Sequence, residues 1–383
     1  MGRVLLVQPS LQPPGGGNGV AAWMLQALAG DHHVTVLSWR PVDVDSINRF
    51  FGTALRPSDF DSIVVPRQWS YVPDHLPVPA ALIRSGLLMR FTRRLIDRFD
   101  VLVGVHNETD YGRRGIQYVH YPSYLRPRPA VDLRWYHHPE WVLSTYYSIA
   151  DRLADFSVER MKSNVTLANS DWTAGLLRQS LGITARTLYP PVVGLEGQAP
   201  WNERRAAFLA IGRISPEKEY ERLIRILAKV RESNPDVTLT ILGTWDRHVR
   251  RYYQKLRRLA AEAGPWVEFR HGLSRDAVNS LMARTCYGIH GMREEHFGMA
   301  PAEMVRAGMV VWVPNGGGQV EIVGNDPQLV FGSDEQAIDQ IVRVLGNSDE
   351  QRRLRDALRE RGKRFSTERF VTEVQEVVAA FRE

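Results

Sequence analysis

The chain is short of cysteine, of long apolar runs and of repeats, and each shortage excludes a class of protein. One cysteine, Cys286, stands among 383 residues. An internal disulfide is thereby excluded, as is a thiolate metal cluster, and a reducing cytoplasm is the natural setting. No uninterrupted apolar stretch approaches the roughly 20 residues of a membrane-spanning helix. The opening MGRVLLVQPSLQPPGGG is a short strand that breaks at glycines, so no secretory leader is expected there. Those glycines lack the dinucleotide spacing GxGxxG, because Gly19 is followed by Val20, Ala21 and Ala22. No Asp-x-Asp placement compels a divalent metal. The arginines are dispersed, without interleaved aromatics, so nucleic acid is not an expected partner.

What is present is ordinary globular material. Apolar residues make up 44% and charged residues 24%, enough for two or three domains with real cores. The formal charge of +6 suits phosphorylated small molecules, anionic bilayers or nucleic acid, and does not choose among them. Val4 to Val7, a glycine loop, a helical pattern through Trp23 and Leu28, then His32 to Trp39 read as the opening strand, helix and strand of a doubly wound α/β domain. Further strands are expected at Asp100 to Val105, Ile116 to Pro122 and Val165 to Ser170. The proline- and glycine-rich stretch 189–202 separates this domain, 1–188, from a second, 203–365. In the second, strands are expected at Ala206 to Ile214, Val237 to Gly243, Val267 to Gly272, Cys286 to Gly291 and Met309 to Pro314, with helices at 246–263, 274–284 and 300–307. A last amphipathic helix, 366–383, is expected to pack back on the first domain. Arg84 to Phe99 reads as a basic amphipathic helix, either lying on an anionic bilayer or packed with a solvated basic edge.

The candidate chemistry centres on GMREEHFGMAPAEMV, Gly291 to Val305. Glu295 falls in a glycine-bounded loop, and Glu303 eight positions on, in the first turn of an expected helix. Gly298 is the candidate N-cap, and Pro301 fits an early position whose N–H has no helical partner. Donors around Gly298 to Ala300 then favour an anion. A solvated helix start with dipole-complementing acids fits the same residues. Arg213 at a strand end and Lys218, expected in the next helix's first turn behind Ser215 and Pro216, are two cations able to meet a diphosphate. Asn315 to Glu321, NGGGQVE, is a second glycine patch. His120, at the carboxyl end of an expected strand, reads either as a sugar contact or as a satisfied core side chain.

GRISPEK, the spacing in EEHFGMAPAE and GGGQVEIV together resemble the retaining GT-B glycosyltransferases of family 4. The resemblance implies two Rossmann-like parallel-sheet domains facing each other across a cleft. It implies Arg213 and Lys218 as a diphosphate clamp, Glu295 on the donor sugar's hydroxyls and Glu303 on the ribose. It implies backbone contacts from Phe297, Gly298 and Met299, Gly16 and Gly17 near the diphosphate, and His120 near the reacting sugar. EHFG with QYVHYP is similar to mannosyltransferases that extend lipid-linked oligosaccharides, which implies GDP-mannose as donor. TWDRH stands where many relatives have a glycine, so the base contacts depart from the pattern. No cofactor or metal is implied. The implied partners are a nucleotide sugar, a glycan or lipid-linked acceptor and an anionic membrane touched peripherally from the cytoplasmic side. Acceptor-side candidates are Trp69, Tyr71, the RPRP segment around Arg126, and Trp135 to His138. A non-catalytic nucleotide-sugar-binding protein, and an epimerase or phosphorylase on the same fold, are the alternatives.

Overall fold

The computed structural model describes residues 1–74, 81–124, 140–195, 197–245 and 247–383. Within it the alternation of apolar runs and amphipathic helices resolves into two units, Met1–Pro191 with Thr367–Glu383, and Val192–Ser366.

The first unit holds β1 (Arg3–Val7), β2 (His33–Ser38), β3 (Asp61–Val64), β4 (Val101–Gly104), β5 (Ile116–Val119), β6 (Val165–Ala168) and β7 (Arg186–Thr187). Their order is β3-β2-β1-β4-β5-β6-β7, and every pairing is parallel. β1 is central, with Leu5 opposite both Thr35 and Leu102. Such strands are covered on both faces, so they read as continuous apolar runs. β3 and β7 escape that pattern: β3 is a largely exposed edge and β7 has two residues. The second unit holds β8 (Arg205–Ile211), β9 (Leu239–Leu242), β10 (Val267–Arg270), β11 (Thr285–Ile289), β12 (Val310–Pro314) and β13 (Val330–Phe331), in the order β10-β9-β8-β11-β12-β13, again parallel. Cys286 is buried in β11, and burial pushes its thiol up to about 11.

Two expected elements are corrected. The basic helix expected over Arg84 to Phe99 runs Ala81–Thr92 and gives way to a turn and a 3-10 segment, Ile96–Arg98. The Thr92 hydroxyl donates back to the Leu88 carbonyl at 2.8 Å, competing with the helical ladder. Arg93 is drawn aside to the buried Asp110 at 3.0 Å and to Asp155. The apolar side of this stretch faces the core: Leu88 and Met89 are fully buried, and Phe91, Leu95 and Ile96 pack against the same cluster. The second correction concerns Lys218. Pro216–Lys218 is a single 3-10 turn, and the α-helix starts only at Tyr220, after Glu219 takes a left-handed φ of 48°. Ser215 precedes the turn without a side-chain cap.

The terminal helix Thr367–Arg382 lies in the first unit, against the helix Gly16–Ala29. Phe370, Val374, Val377 and Val378 join the core built by Val4, Trp23 and Leu28. A buried Phe truncated to Ala costs about 3 to 5 kcal/mol. Phe370→Ala is therefore expected to lower the first unit's unfolding free energy by about that amount, read as a shifted midpoint in urea followed by tryptophan fluorescence. An unchanged midpoint would mean that the helix is not part of that unit's core.

Candidate active site

In the second unit the end of β11 delivers a buried histidine, His290, and then a loop, 291–298, that crosses to the helix Met299–Arg306. The loop is locked by backbone. Glu295 pairs with Gly317 as an isolated parallel bridge, and the Gly318 N–H donates to the Glu295 carbonyl at 2.8 Å. A Cβ on Gly317 would stand 2.1 Å from that carbonyl oxygen, and its φ is +71°, so only glycine fits. Gln319, fully buried, donates its amide to Met292 O at 2.7 Å and Gly316 O at 3.0 Å. The second glycine patch is thus the cradle of the Glu295 loop.

The cradle fixes a charged cluster. The Lys218 ammonium donates to Glu295 Oε2, and His290 Nε2 reaches the same oxygen at 3.1 Å. Met292 Sδ lies 3.4 Å from the ammonium. The Lys218 and Glu295 side chains are 13% and 19% exposed, so the pair is largely shielded yet reachable. Burial works against the charge of Glu295, but the His290 hydrogen bond and the Lys218 ammonium outweigh it and hold the carboxyl well below the usual range. Burial pushes His290 down, against the pull of Glu295, which leaves a neutral imidazole donating from Nε2. Tyr220, buried behind the 3-10 turn, donates its hydroxyl to the Arg213 carbonyl at 3.3 Å and steadies that loop. The Arg213 side chain is 78% exposed and touches Glu217 at 3.5 Å.

Gly298 is the N-cap of Met299–Arg306, with φ 107°. The first N–H groups of a helix have no helical acceptor, and Pro301 carries none, so Met299 and Ala300 are the donors this end presents. The Phe297 side chain is buried against Phe365, ring centroids 5.6 Å apart, and anchors the loop. Glu303 is corrected: it is the fifth helical residue, and the first turn holds no acid. It pairs with Arg275 of the neighbouring helix Arg275–Ala283 at 2.8 Å. The structure therefore joins Lys218 and Glu295 directly, hangs Arg213 on the same strand-end loop, and sets Glu303 apart on its own arginine. His290, Gln319 and Arg275 were missed from sequence. For His290 a signal existed, a histidine directly after the apolar strand, which is the pattern that singled out His120.

His120, in the first unit, donates from Nε2 to the Val105 carbonyl at 2.9 Å, and its N–H meets Asn107 Oδ1 at 2.9 Å. Its ring lies against Gly17, where a Cβ would stand 3.1 Å from Nε2. Gly16 opens the helix Gly16–Ala29. Trp69 packs edge-on to Phe91 at 5.5 Å beneath the Arg94 guanidinium at 4.7 Å, and Tyr71 is 66% exposed. The RPRP segment around Arg126 and Trp135 to His138 lie outside the described residues. Among the described residues no helix is long and apolar enough to cross a membrane.

With this geometry in view, comparison with solved structures is direct. The chain is similar over 99% of its length to all of Anabaena Alr3699/HepE in complex with UDP and glucose, at 15% identity and TM-score 0.68. It is similar over 94% of its length to 95% of WaaG, a glycosyltransferase involved in lipopolysaccharide biosynthesis, at 19% identity and TM-score 0.66. The fold is GT-B. Residues 195–364, most of the second unit of this GT-B chain, match the family model for glycosyl transferases group 1. Among curated proteins, the GDP-Man:Man(3)GlcNAc(2)-PP-Dol alpha-1,2-mannosyltransferase of Homo sapiens is 29% identical over 244 residues, 57% of this chain and 49% of that protein. The protein of the same description from Dictyostelium discoideum is 26% identical over 247 residues, 59% of this chain and 48% of its own. The GT-B chain spans about half the length of the curated relatives it matches.

Lys218→Met tests the cluster. It leaves the Glu295 carboxylate shielded and without its cation, which raises the folded-state carboxyl. A raised carboxyl contributes stability at low pH that is lost as pH rises through its folded value. In the parent the carboxyl is depressed, and its contribution persists across the mildly acidic range. The melting-temperature gap between variant and parent is therefore expected to be widest at pH 7 to 8 and to narrow toward pH 5. A gap independent of pH would show that Lys218 does not govern the ionisation of Glu295.

Proposed function

We propose that this GT-B protein moves a hexose from a nucleoside diphosphate sugar to a hydroxyl of a glycan or lipid-linked acceptor, with retention at the anomeric carbon and without a metal ion. The observation that carries the reading is the Lys218–Glu295–His290 cluster beside the helix start at Gly298, within the segment that matches the glycosyl transferases group 1 family. The charge to be managed is a departing nucleoside diphosphate beside an oxocarbenium-like sugar. An ammonium has three donors, so Lys218 can keep Glu295 on one and offer the others to diphosphate oxygens. Arg213, exposed on the same loop, adds a second cation, and the Met299 and Ala300 N–H groups add dipolar stabilisation. Glu295, held ionised, accepts from sugar hydroxyls. Glu303, oriented by Arg275, accepts from ribose hydroxyls. Retention fits front-side attack, in which the leaving phosphate takes the acceptor's proton and no covalent nucleophile is used.

GDP-mannose is the proposed donor, supported by the description of the curated relatives, and a lipid-linked glycan is the proposed acceptor class on the same ground. The reading places the chain at the cytoplasmic face of a membrane, in peripheral contact. The apolar side of the stretch 84–99 is buried, so that contact falls to exposed arginines such as Arg90, Arg94 and Arg98.

A ligand bound only by the folded state at a hundred times its Kd stabilises by about 2.7 kcal/mol. GDP and GDP-mannose are expected to raise the melting temperature more than UDP or ADP, and no response to any nucleotide would sink the reading. Arg213→Ala, at an exposed position, is expected to leave the melting temperature unchanged and to cut sugar transfer by about 10²-fold or more, the usual cost of removing one donor to developing negative charge. Glu295→Gln is expected to slow transfer while GDP affinity stays within about threefold, because its role is on the sugar. Turnover near that of the parent in both variants would refute the assigned roles.

A further inference from the structure

The second unit holds a cavity of about 510 Å³ whose lining residues all fall within Val192–Ser366. Of these, Arg204 stands just before β8 and Gly308 just before β12, so the cavity lies at the amino ends of the parallel strands. Lys218 and Glu295 follow the carboxyl ends of β8 and β11, where open parallel sheets bind their substrates. The helix Met299–Arg306 runs from one place to the other. It starts at Gly298, beside Glu295, and its last residue, Arg306, reaches the cavity. Eight residues at 1.5 Å each make that span about 12 Å. An occupant of the cavity is therefore not a substrate of the Lys218–Glu295–His290 cluster.

Charge of one sign collects here. Arg204, Arg306, Arg355, Arg359 and Lys363 line the cavity, and no carboxylate is among its described lining residues. The wall itself accounts for Arg204, which donates from Nε to Ala199 O and from Nη1 to Ala307 O, both at 2.9 Å. Burial first, and then the Arg355 cation, lower Arg204 from its ordinary value, so these like charges stand close enough to repel. Arg306 and Arg355, both half-buried, are not spent in this way. Arg355 lies 4.4 Å from the centroid of the Trp201 ring and gives only Nε to the wall, to Gln351 O at 3.4 Å. Arg306 has no ion pair among the described residues, and only its Nε is sealed in the wall. The Nη nitrogens of both arginines have no hydrogen-bond partner there and remain reachable from solvent. At the rim Arg359 and Lys363 are held by Asp356 and Glu360, with side chains 74% and 67% exposed. Exposed pairs of this kind are weak, so both cations can turn to an anion.

Repelling guanidinium groups without acids are relieved by an oxyanion, and phosphate matches their planar fork. The volume falls in the range of small-molecule sites, about 300 to 1,000 Å³. Leu195, Pro200 and Val305 give the cavity an apolar side, which suits a phosphate carried on an organic body.

We infer that this cavity is a second ligand site, separate from the candidate active site, and that it takes a soluble phosphorylated small molecule. The phosphate lies on Arg306 and Arg355, with Arg359 and Lys363 closing over it. The site stands on the cavity alone and does not depend on the proposed sugar transfer.

The test is calorimetric titration of the full chain with mannose 6-phosphate and with glycerol 3-phosphate, against mannose and glycerol as neutral controls. At least one phosphorylated probe is expected to bind one to one and tenfold or more tightly than its neutral parent. Arg355→Gln with Arg359→Gln is expected to weaken that binding tenfold or more. Where loss of the Arg355 contact with Trp201 lowers the melting temperature, Arg359→Gln with Lys363→Gln, both at exposed positions, carries the test with a loss of threefold or more. Lys218→Met with Arg213→Ala, which strips the candidate active site of its cations, is expected to leave the affinity within twofold. Binding that vanishes in this last pair and survives in the cavity variants puts the phosphate at the candidate active site and overturns the inference. Failure of both phosphorylated probes, equal binding of the neutral parents, or cavity variants that bind as the parent does overturn it as well.

Discussion

The second unit depends on one close approach, the backbone of Glu295 pressed against Gly317 where no side chain fits. The Lys218–Glu295–His290 cluster is built on it. The bridge holds the loop after β11 against the glycine patch, and Gln319 ties the two together through the Met292 and Gly316 carbonyls. With the loop fixed, the Glu295 carboxylate is largely shielded, and Lys218 and His290 meet it on one oxygen. A shielded carboxylate is costly unless it is paired and hydrogen-bonded. Here both conditions are met, so backbone packing and charge pairing support each other.

For the proposed diphosphate substrate, the electrostatic balance of that cluster bears on how such an anion would bind there. Two unit charges 4 Å apart at an effective dielectric near 20 attract by about 4 kcal/mol. Glu295 and a diphosphate oxygen therefore attract Lys218 with similar strength, and neither displaces the other outright. A shared ammonium is the stable outcome. In the proposed transfer Glu295 would then stay beside the diphosphate, within reach of the sugar that the diphosphate carries. The neutral state of His290 matters for the same proposed role, since a second full cation on Glu295 would weaken any hold it has on sugar hydroxyls.

The loops that meet at Lys218 and Glu295 were legible in the sequence because their residues sit in contiguous runs. GRISPEK directly follows the end of β8, and EHFGMAPAE runs from the loop after β11 into a helix start, so spacing translates into proximity. The central strands were legible for the same local reason, as short apolar runs bounded by turn residues. What failed was set by distant partners. Glu303 looks like a dipole-complementing acid, and only the fold brings Arg275, 28 residues away, to its carboxylate. The basic stretch after Arg84 has helical periodicity to Phe99, but Asp110 and Asp155 pull Arg93 out of register with it. NGGGQVE was visible as a glycine patch, yet whether it faced a ligand or another loop depended on a parallel bridge that no local pattern encodes.

The first unit was harder to read for a topological reason. A cavity at its strand ends draws Trp39, Arg40, Arg84, His106 and Tyr124 from four separate segments, and none of those segments repeats a spacing. A doubly wound sheet assembles such a site at its strand ends whatever the loops contain, so the scaffold is constrained and the lining is not.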